Sequence, residues 1–136
     1  MQSINTYLNF DGNAREAMTF YQQCLGGDLN VMTFADSGME HPPGSGDRVV
    51  HARLSNGGAV VMASDVMPGM PFKPGNTVWL NIQCDTDDEV DALYGKLVAD
   101  GGQHLMEPDN TFWNARFGML VDRFGTQWMF NHERGS

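Results

Sequence analysis

Apolar and polar residues alternate with period two over Tyr7-Leu8-Asn9-Phe10, and the pattern returns 72 residues later as Trp79-Leu80-Asn81-Ile82. Alternation of this kind marks a half-buried strand, because successive side chains point to opposite faces. Each copy follows an Asn-Thr pair, Asn5-Thr6 and Asn76-Thr77, and precedes a stretch with the 3.6-residue period of an amphipathic helix. Those helices are predicted over Ala14 to Leu25, with Met18, Tyr21 and Leu25 as the buried stripe, and over Asp87 to Ala99, with Val90, Leu93 and Leu97. Asp11 or Asn13 is placed to cap the first and Thr86 the second. Gly26-Gly27 and Gly101-Gly102 then supply positive backbone angles at the helix ends.

Three short strands follow each helix. In the first half they are predicted over Asp28 to Phe34, Val49 to Leu54 and Ala59 to Ala63. In the second they are predicted over Gln103 to Glu107, Arg116 to Val121 and Gln127 to Asn131. Ser55-Asn56-Gly57-Gly58 and Asp122-Arg123-Phe124-Gly125 read as the hairpin turns before each last strand. Ala35 to Asp47, rich in Gly and Pro, reads as a mobile loop, and Pro68 to Gly75 as a linker. The chain is therefore expected to be α+β: one domain over residues 1–136, built of two βαβββ modules, residues 1–67 and 76–134, joined by residues 68–75. Both helices are expected to lie on one face of a sheet.

Composition narrows the partners. A net charge of −9 opposes binding to nucleic acid, which needs clustered Lys and Arg, and opposes anionic membranes. No stretch approaches the ~20 apolar residues of a membrane span, and the opening Met1-Gln2-Ser3-Ile4-Asn5 lacks the basic start of a signal peptide, so a cytoplasmic protein is expected. The terminal Gly135-Ser136 is set aside. The two cysteines, Cys24 and Cys84, belong to no CxxC pair or zinc-type cluster; a disulfide between them stays open, with two buried thiols the favoured reading.

Strand alternation also separates candidate site residues from core. Leu8 and Phe10 fall on one face, with Asn5, Tyr7 and Asn9 on the other; Leu80 and Ile82 oppose Thr77, Trp79, Asn81 and Gln83. Amides gathered on one face either pair with each other and the backbone or line a ligand cavity. Tyr7, Asn9, Trp79, Asn81 and Gln83 are thus ligand-binding candidates, joined by His51, which can titrate near neutral pH and is the one candidate general base. Trp113 and Arg116, in the run Asn110 to Phe117, are candidates for a small organic anion, since a guanidinium forks onto oxyanions. The competing reading has Trp113, Phe117 and Phe124 sealing a dimer interface and Arg116 paired with Asp65 or Asp122. The ten methionines suit an adaptable core or a pocket tolerant of varied apolar ligands.

The strings YLNFDGNAREAMTFYQQCLGG, HARLSNGGAVVMASD and TFWNARFGMLVDRFGTQWMFN resemble the PhnB-like family of the glyoxalase/bleomycin resistance protein/dioxygenase (vicinal oxygen chelate) superfamily over nearly the whole chain. The resemblance implies that the two βαβββ modules form a curved mixed sheet around a cup, with the helices on the outer face, and that the chain is a homodimer, for which the linker Pro68 to Gly75 leaves swapped and closed forms open. In the superfamily's metalloenzymes, ligands come from the first and last strand of each module. The corresponding positions here are Asn5, Thr77, Met62 or Val61, and Met129, none a carboxylate or imidazole. No metal and no cofactor is expected. The four histidines, His41, His51, His104 and His132, show no HxH or HExxH spacing. Some relatives of this kind carry a 3-demethylubiquinone 3-methyltransferase label, yet Asp11-Gly12-Asn13 opening a helix in a short βαβββ unit is no glycine-rich cofactor loop. Three functions stand: a homodimeric binder of a small organic ligand; an enzyme, either of glyoxalase-like lyase, isomerase or dioxygenase type or metal-free with His51 as base; and a drug-sequestering resistance protein.

Overall fold

The computed structural model describes residues 1–135, so that Ser136 lies outside the described residues. The elements follow the order β1 (Thr6–Phe10), α1 (Ala14–Leu25), β2 (Asp28–Thr33), α2 (Phe34–Ser37), β3 (Val49–Asn56) and β4 (Ala59–Asp65), then β5 (Leu80–Gln83), α3 (Asp87–Val98), β6 (Gln103–Asn110), β7 (Ala115–Val121) and β8 (Gln127–Glu133). The chain divides into two compact units, Met1–Lys73 and the residues from Pro74 onward. Each is a βαβββ module with one four-stranded mixed sheet: β1-β4-β3-β2 in the first and β5-β8-β7-β6 in the second. In both, the first strand runs parallel to the last and the remaining pairs are antiparallel. Neither sheet closes into a barrel; β1 and β2 are the edges of one, β5 and β6 of the other.

The cores are packed by the stripes that the periodicity marks, with two shifts. In α1 the buried residues are Ala14, Ala17, Met18, Phe20, Tyr21 and Cys24, while Leu25 is only half-buried. In α3 they are Val90, Tyr94 and Leu97, so Tyr94 takes the place expected for Leu93. An aromatic ring is what this spot accommodates, because Gly118 of β7 lies under it: a Cβ at Gly118 would sit 3.1 Å from the Tyr94 ring. Tyr94 also packs edge-on to Phe130, and burial followed by the Glu107 charge pushes its hydroxyl above the ordinary phenol range.

The helix ends correct the expectation in an instructive way. Asn13 is the N-cap of α1 but makes no side-chain capping bond. The buried carboxylate of Asp65, from the end of β4, does the work. Its Oδ1 accepts from Gly12 N (2.8 Å) and Ala14 N (3.0 Å), and its Oδ2 accepts from Val49 N (2.8 Å). Thr86 does cap α3, accepting from Glu89 N, while Glu89 accepts from Asp85 N. At the helix C-termini the double glycines divide the labour differently. Gly26 and Gly27 both adopt positive φ, but after α3 the positive angles fall on Asp100 and Gly101. Gly102 is required for closeness instead, since a Cβ there would lie 2.4 Å from the Val98 carbonyl oxygen.

The segment expected as a mobile loop after β2 is tied down. Phe34 does not end the strand but begins the one-turn helix α2, closed by a capping box in which Thr33 and Asp36 exchange hydrogen bonds. Beyond it, Ala35 N donates to Gly46 O and Phe34 N to Arg48 O, and Arg48 pairs with Asp11 at 2.5 Å. The strand and turn predictions otherwise hold, with β3, β4, β6, β7 and β8 each running one to three residues further than the alternation alone indicates.

Candidate functional site

The face of each sheet opposite its helix carries the side chains that the alternation set apart. In the first sheet, register places Tyr7 of β1, Met62 of β4, Arg53 of β3 and Asn30 of β2 in one row, and Asn9 beside Ser64 in the next. Tyr7, Asn9, His51 and Arg53 are exposed, whereas their neighbours along the strands, Phe10, Ala52, Leu54 and Ala63, are buried against α1. The Tyr7 hydroxyl reaches across β4 to His51 Nδ1 at 3.2 Å. The site residues Tyr7, Asn9 and His51 are therefore brought together on one surface, and Arg53, two residues from His51 on the same strand face, joins them. The same period-two count that placed Asn9 with Tyr7 would have found Arg53.

The Tyr7–His51 bond commits Nδ1 and leaves Nε2 to define the chemistry. If Nδ1–H donates to the Tyr7 oxygen, Nε2 is an acceptor able to take a proton; if Tyr7 donates, Nε2 carries the proton and is a donor.

The second sheet presents a different surface. Asn81 lies opposite Met129, Gln83 opposite Asn131, Phe117 opposite Asn131 and Met119 opposite Met129. Gln83 Oε1 accepts from Asn81 Nδ2 (3.4 Å) and Asn131 Nδ2 (3.3 Å), giving an amide cluster in which Asn131 is the member that the sequence reading passed over. The Asn131 Oδ1 atom is buried with no hydrogen-bond partner among the described residues. Trp79 precedes β5. Trp113 sits in the β6–β7 turn, stacked edge-on between Phe112 and Phe117.

Arg116 is placed otherwise than expected. It pairs neither with Asp65, which holds the start of α1, nor with Asp122, which accepts from Phe124 N, Thr126 N and Trp128 Nε1 in the β7–β8 turn. Its guanidinium forks onto Asp91 of α3 with bonds of 3.0 and 3.1 Å, which directs it to the helix side of the sheet. The other histidines have local partners: His41 the Met39 carbonyl, His104 the Tyr94 hydroxyl, His132 the Asp87 carboxylate. Arg134 and His132 together hold the Asp87 carboxyl below the ordinary range. Cys24 and Cys84 are free and buried. Burial, then the Glu89 charge, pushes the Cys84 thiol up to about 12, so it is not a nucleophile at neutral pH.

The strand registers also test the donor set for a metal. Asn9 pairs with Ser64, and its repeat counterpart Asn81 pairs with Met129. Ser64 is thus the position that corresponds to Met129, and Met62 corresponds to Gln127, whose Nε2 donates to Val78 O just ahead of β5. With the register so corrected, the first- and last-strand positions carry amide, hydroxyl and thioether groups, which do not fit a divalent ion that wants carboxylate or imidazole. Among the described residues, no three His, Cys, Asp or Glu side chains gather closely enough to hold one.

Comparison with known proteins bears on the whole chain. The profile of the family described as 3-demethylubiquinone-9 3-methyltransferase matches residues 2–130. Protein YjdN of Escherichia coli is 32% identical, with 94% of this chain and 93% of that protein covered. Protein PA1353 from Pseudomonas aeruginosa has a crystal structure similar to this one at 39% identity and a TM-score of 0.88, covering 99% of this chain and 100% of that one. A structure from Bacillus cereus described as a putative 3-demethylubiquinone-9 3-methyltransferase, PhnB protein, matches at 29% identity and a TM-score of 0.74, over 96% of this chain and 99% of its own. At 20% identity, a glyoxalase/bleomycin resistance protein/dioxygenase family enzyme from Burkholderia phytofirmans shares the fold, with a TM-score of 0.63 over 95% and 98% of the two chains.

Proposed function

This chain belongs to the 3-demethylubiquinone-9 3-methyltransferase (PhnB-like) family of the glyoxalase/bleomycin resistance/dioxygenase superfamily, and we propose that it is a small-molecule-binding protein that works without the superfamily's metal. The observation that carries this reading is the donor set at the first- and last-strand positions, Asn5 and Thr77 with Ser64 and Met129, the last two matched to each other by their pairing opposite Asn9 and Asn81. Side chains of that kind contact organic ligands through hydrogen bonds and thioether packing and hold hard divalent ions poorly. The methyltransferase of the family description is not part of the proposal. The turn from β1 into α1, where a nucleotide-type cofactor would need free N–H groups, is already filled by the Asp65 carboxylate.

A homodimer belongs to the same reading. The edge strand β6 exposes Leu105 and Met106, and Phe112 in the adjoining turn is 96% exposed, which leaves apolar surface for a second copy to cover. Sedimentation of the purified chain at micromolar concentration checks this: a dimer is expected, and a monomer at every concentration would remove it. Among the described residues no helix is long and apolar enough to cross a membrane.

The test of the main reading is metal content and thermal melting of the chelator-stripped protein after addition of nickel, zinc, manganese or iron(II) in turn. No stoichiometric uptake and no change in melting temperature are expected, together with a rise on addition of an organic ligand from a screen. One ion retained per chain with a raised melting temperature would overturn it. The hydrogen bond between Tyr7 and His51 favours a second reading, metal-free proton transfer with His51 Nε2 as the base. For that reading, His51→Gln must abolish turnover of any substrate found while leaving binding within a few-fold.

A further inference from the structure

Arginines in this acidic chain are matched to carboxylates with one informative exception. Arg48 faces Asp11, Arg116 faces Asp91, Arg123 faces Asp100 and Arg134 faces Asp87. Arg15, on the exposed side of α1, and Arg53 have no ion pair among the described residues. For Arg15 that is ordinary helix surface. Arg53 is different, because it stands in the interior of a sheet, with β2 on one side and β4 on the other. Its partners in register are Asn30 and Met62, neither of which carries charge. The nearest carboxylate in register is that of Asp28, two residues along β2 from Asn30 and opposite Ser55, and it makes no bond to the guanidinium.

Around Arg53 the same face supplies what a ligand with a charged end and an apolar body requires. Met62 lies between Arg53 and Tyr7 as a flexible apolar floor, and the Tyr7 and His51 rings, with centroids 5.8 Å apart, stand beside it. The guanidinium offers a planar fork of N–H donors that matches an oxyanion with two oxygens. Resting on the small-molecule reading above, we propose that this face of the first sheet is a subsite for a small organic oxyanion carried on an apolar body, with Arg53 holding the charged end. The anion-binding role that the sequence pattern offered to Arg116 passes to Arg53, since Arg116 is already spent on Asp91.

Ligand-observed NMR titration of the full chain with benzoate, phenyl phosphate and neutral benzamide tests the assignment. At least one anion is expected to bind the unmodified protein tenfold or more tightly than benzamide, and the choice between them tells whether a carboxylate or a phosphate is the preferred headgroup. Arg53→Met should weaken that anion at least tenfold and leave benzamide unchanged, because a charge-assisted fork is lost and nothing else is. Arg53→Lys, which keeps the charge without the fork, should fall between the two, Arg15→Met should match the unmodified protein, and Asp28→Asn should tighten anion binding a few-fold. The melting temperatures of the unliganded variants serve as the check on folding. Equal affinity of Arg53→Met and the unmodified protein for the anion, equal binding of anion and benzamide, or no anion binding at all would overturn the subsite. Ligand binding in which no anion depends on Arg53 would sink this inference and leave the small-molecule reading standing, whereas stoichiometric metal uptake would sink that reading whatever Arg53 does.

Discussion

The two modules share a topology and begin their helices by opposite means. In the second, the cap is local: Thr86 and Glu89 satisfy the first N–H groups of α3 from within its own first turn. In the first, Asn13 is idle and the groups are satisfied by Asp65, 51 positions away from Ala14. A local cap is written into a few neighbouring residues and forms as the helix forms. A remote cap exists only once β4 has docked beside β1, and through Val49 N the same carboxylate also fixes the start of β3. The first module has thereby made helix, central strand and last strand depend on one buried charge, whereas the second has kept its helix independent and used its own buried carboxylate, Asp122, to close the last hairpin and hold the Trp128 indole. Duplicated units need not keep duplicated energetics.

That contrast can be broken most directly at Asp65. Its replacement by Ala leaves two buried N–H groups, of Ala14 and Val49, and the part-buried one of Gly12 without an acceptor, and should cost about 3–5 kcal/mol of stability in urea denaturation. If Thr86→Ala cost as much, the distinction between remote and local capping would be lost. Gly27→Ala comes next, at about 2 kcal/mol or more: the residue has φ of 97° and its new Cβ would lie 2.4 Å from the Ser55 carbonyl oxygen. Thr86→Ala itself should cost about 1 kcal/mol, as an ordinary N-cap does. The smallest effect should be at Asp87, which is half-buried and whose carboxyl is held low first by Arg134 and then by His132. A carboxyl with a lowered folded value stabilises the fold above its unfolded value of about 3.9 and loses that contribution as pH falls through the folded one. Asp87→Asn should therefore be slightly less stable than the unmodified protein at neutral pH, with the two denaturation curves converging below about pH 4.

The open faces sharpen the comparison from the functional side. The first sheet shows phenol, imidazole and guanidinium, and the second shows a cluster of amides with methionine and phenylalanine beside it. Period-two alternation was enough to set Tyr7 and Asn9 apart from Leu8 and Phe10, and Asn81 and Gln83 apart from Leu80 and Ile82. It failed where facing was not the question. Asn131 joins the amide cluster only because β8 pairs with β5 in one register, and the partner of Arg116 is Asp91 only because α3 packs over β7. The metal-site positions show the same failure. Counting along the repeat equated Met62 with Met129, but the hairpins differ in length, and pairing equates Ser64 with Met129 instead.

By itself the sequence determined the paired βαβββ modules, the span and buried stripe of each helix and the likeness to the PhnB-like family, because hydrophobic period, glycine placement and repeated strings are local properties of the chain. Only tertiary structure decided that α2 forms, that Asp65 caps α1, that Tyr94 rather than Leu93 fills the second core, and that Arg53 rather than Arg116 stands without a carboxylate. Each of these depends on which groups meet across strands or between sheet and helix, and the partners are residues far apart in the chain whose meeting no local period records.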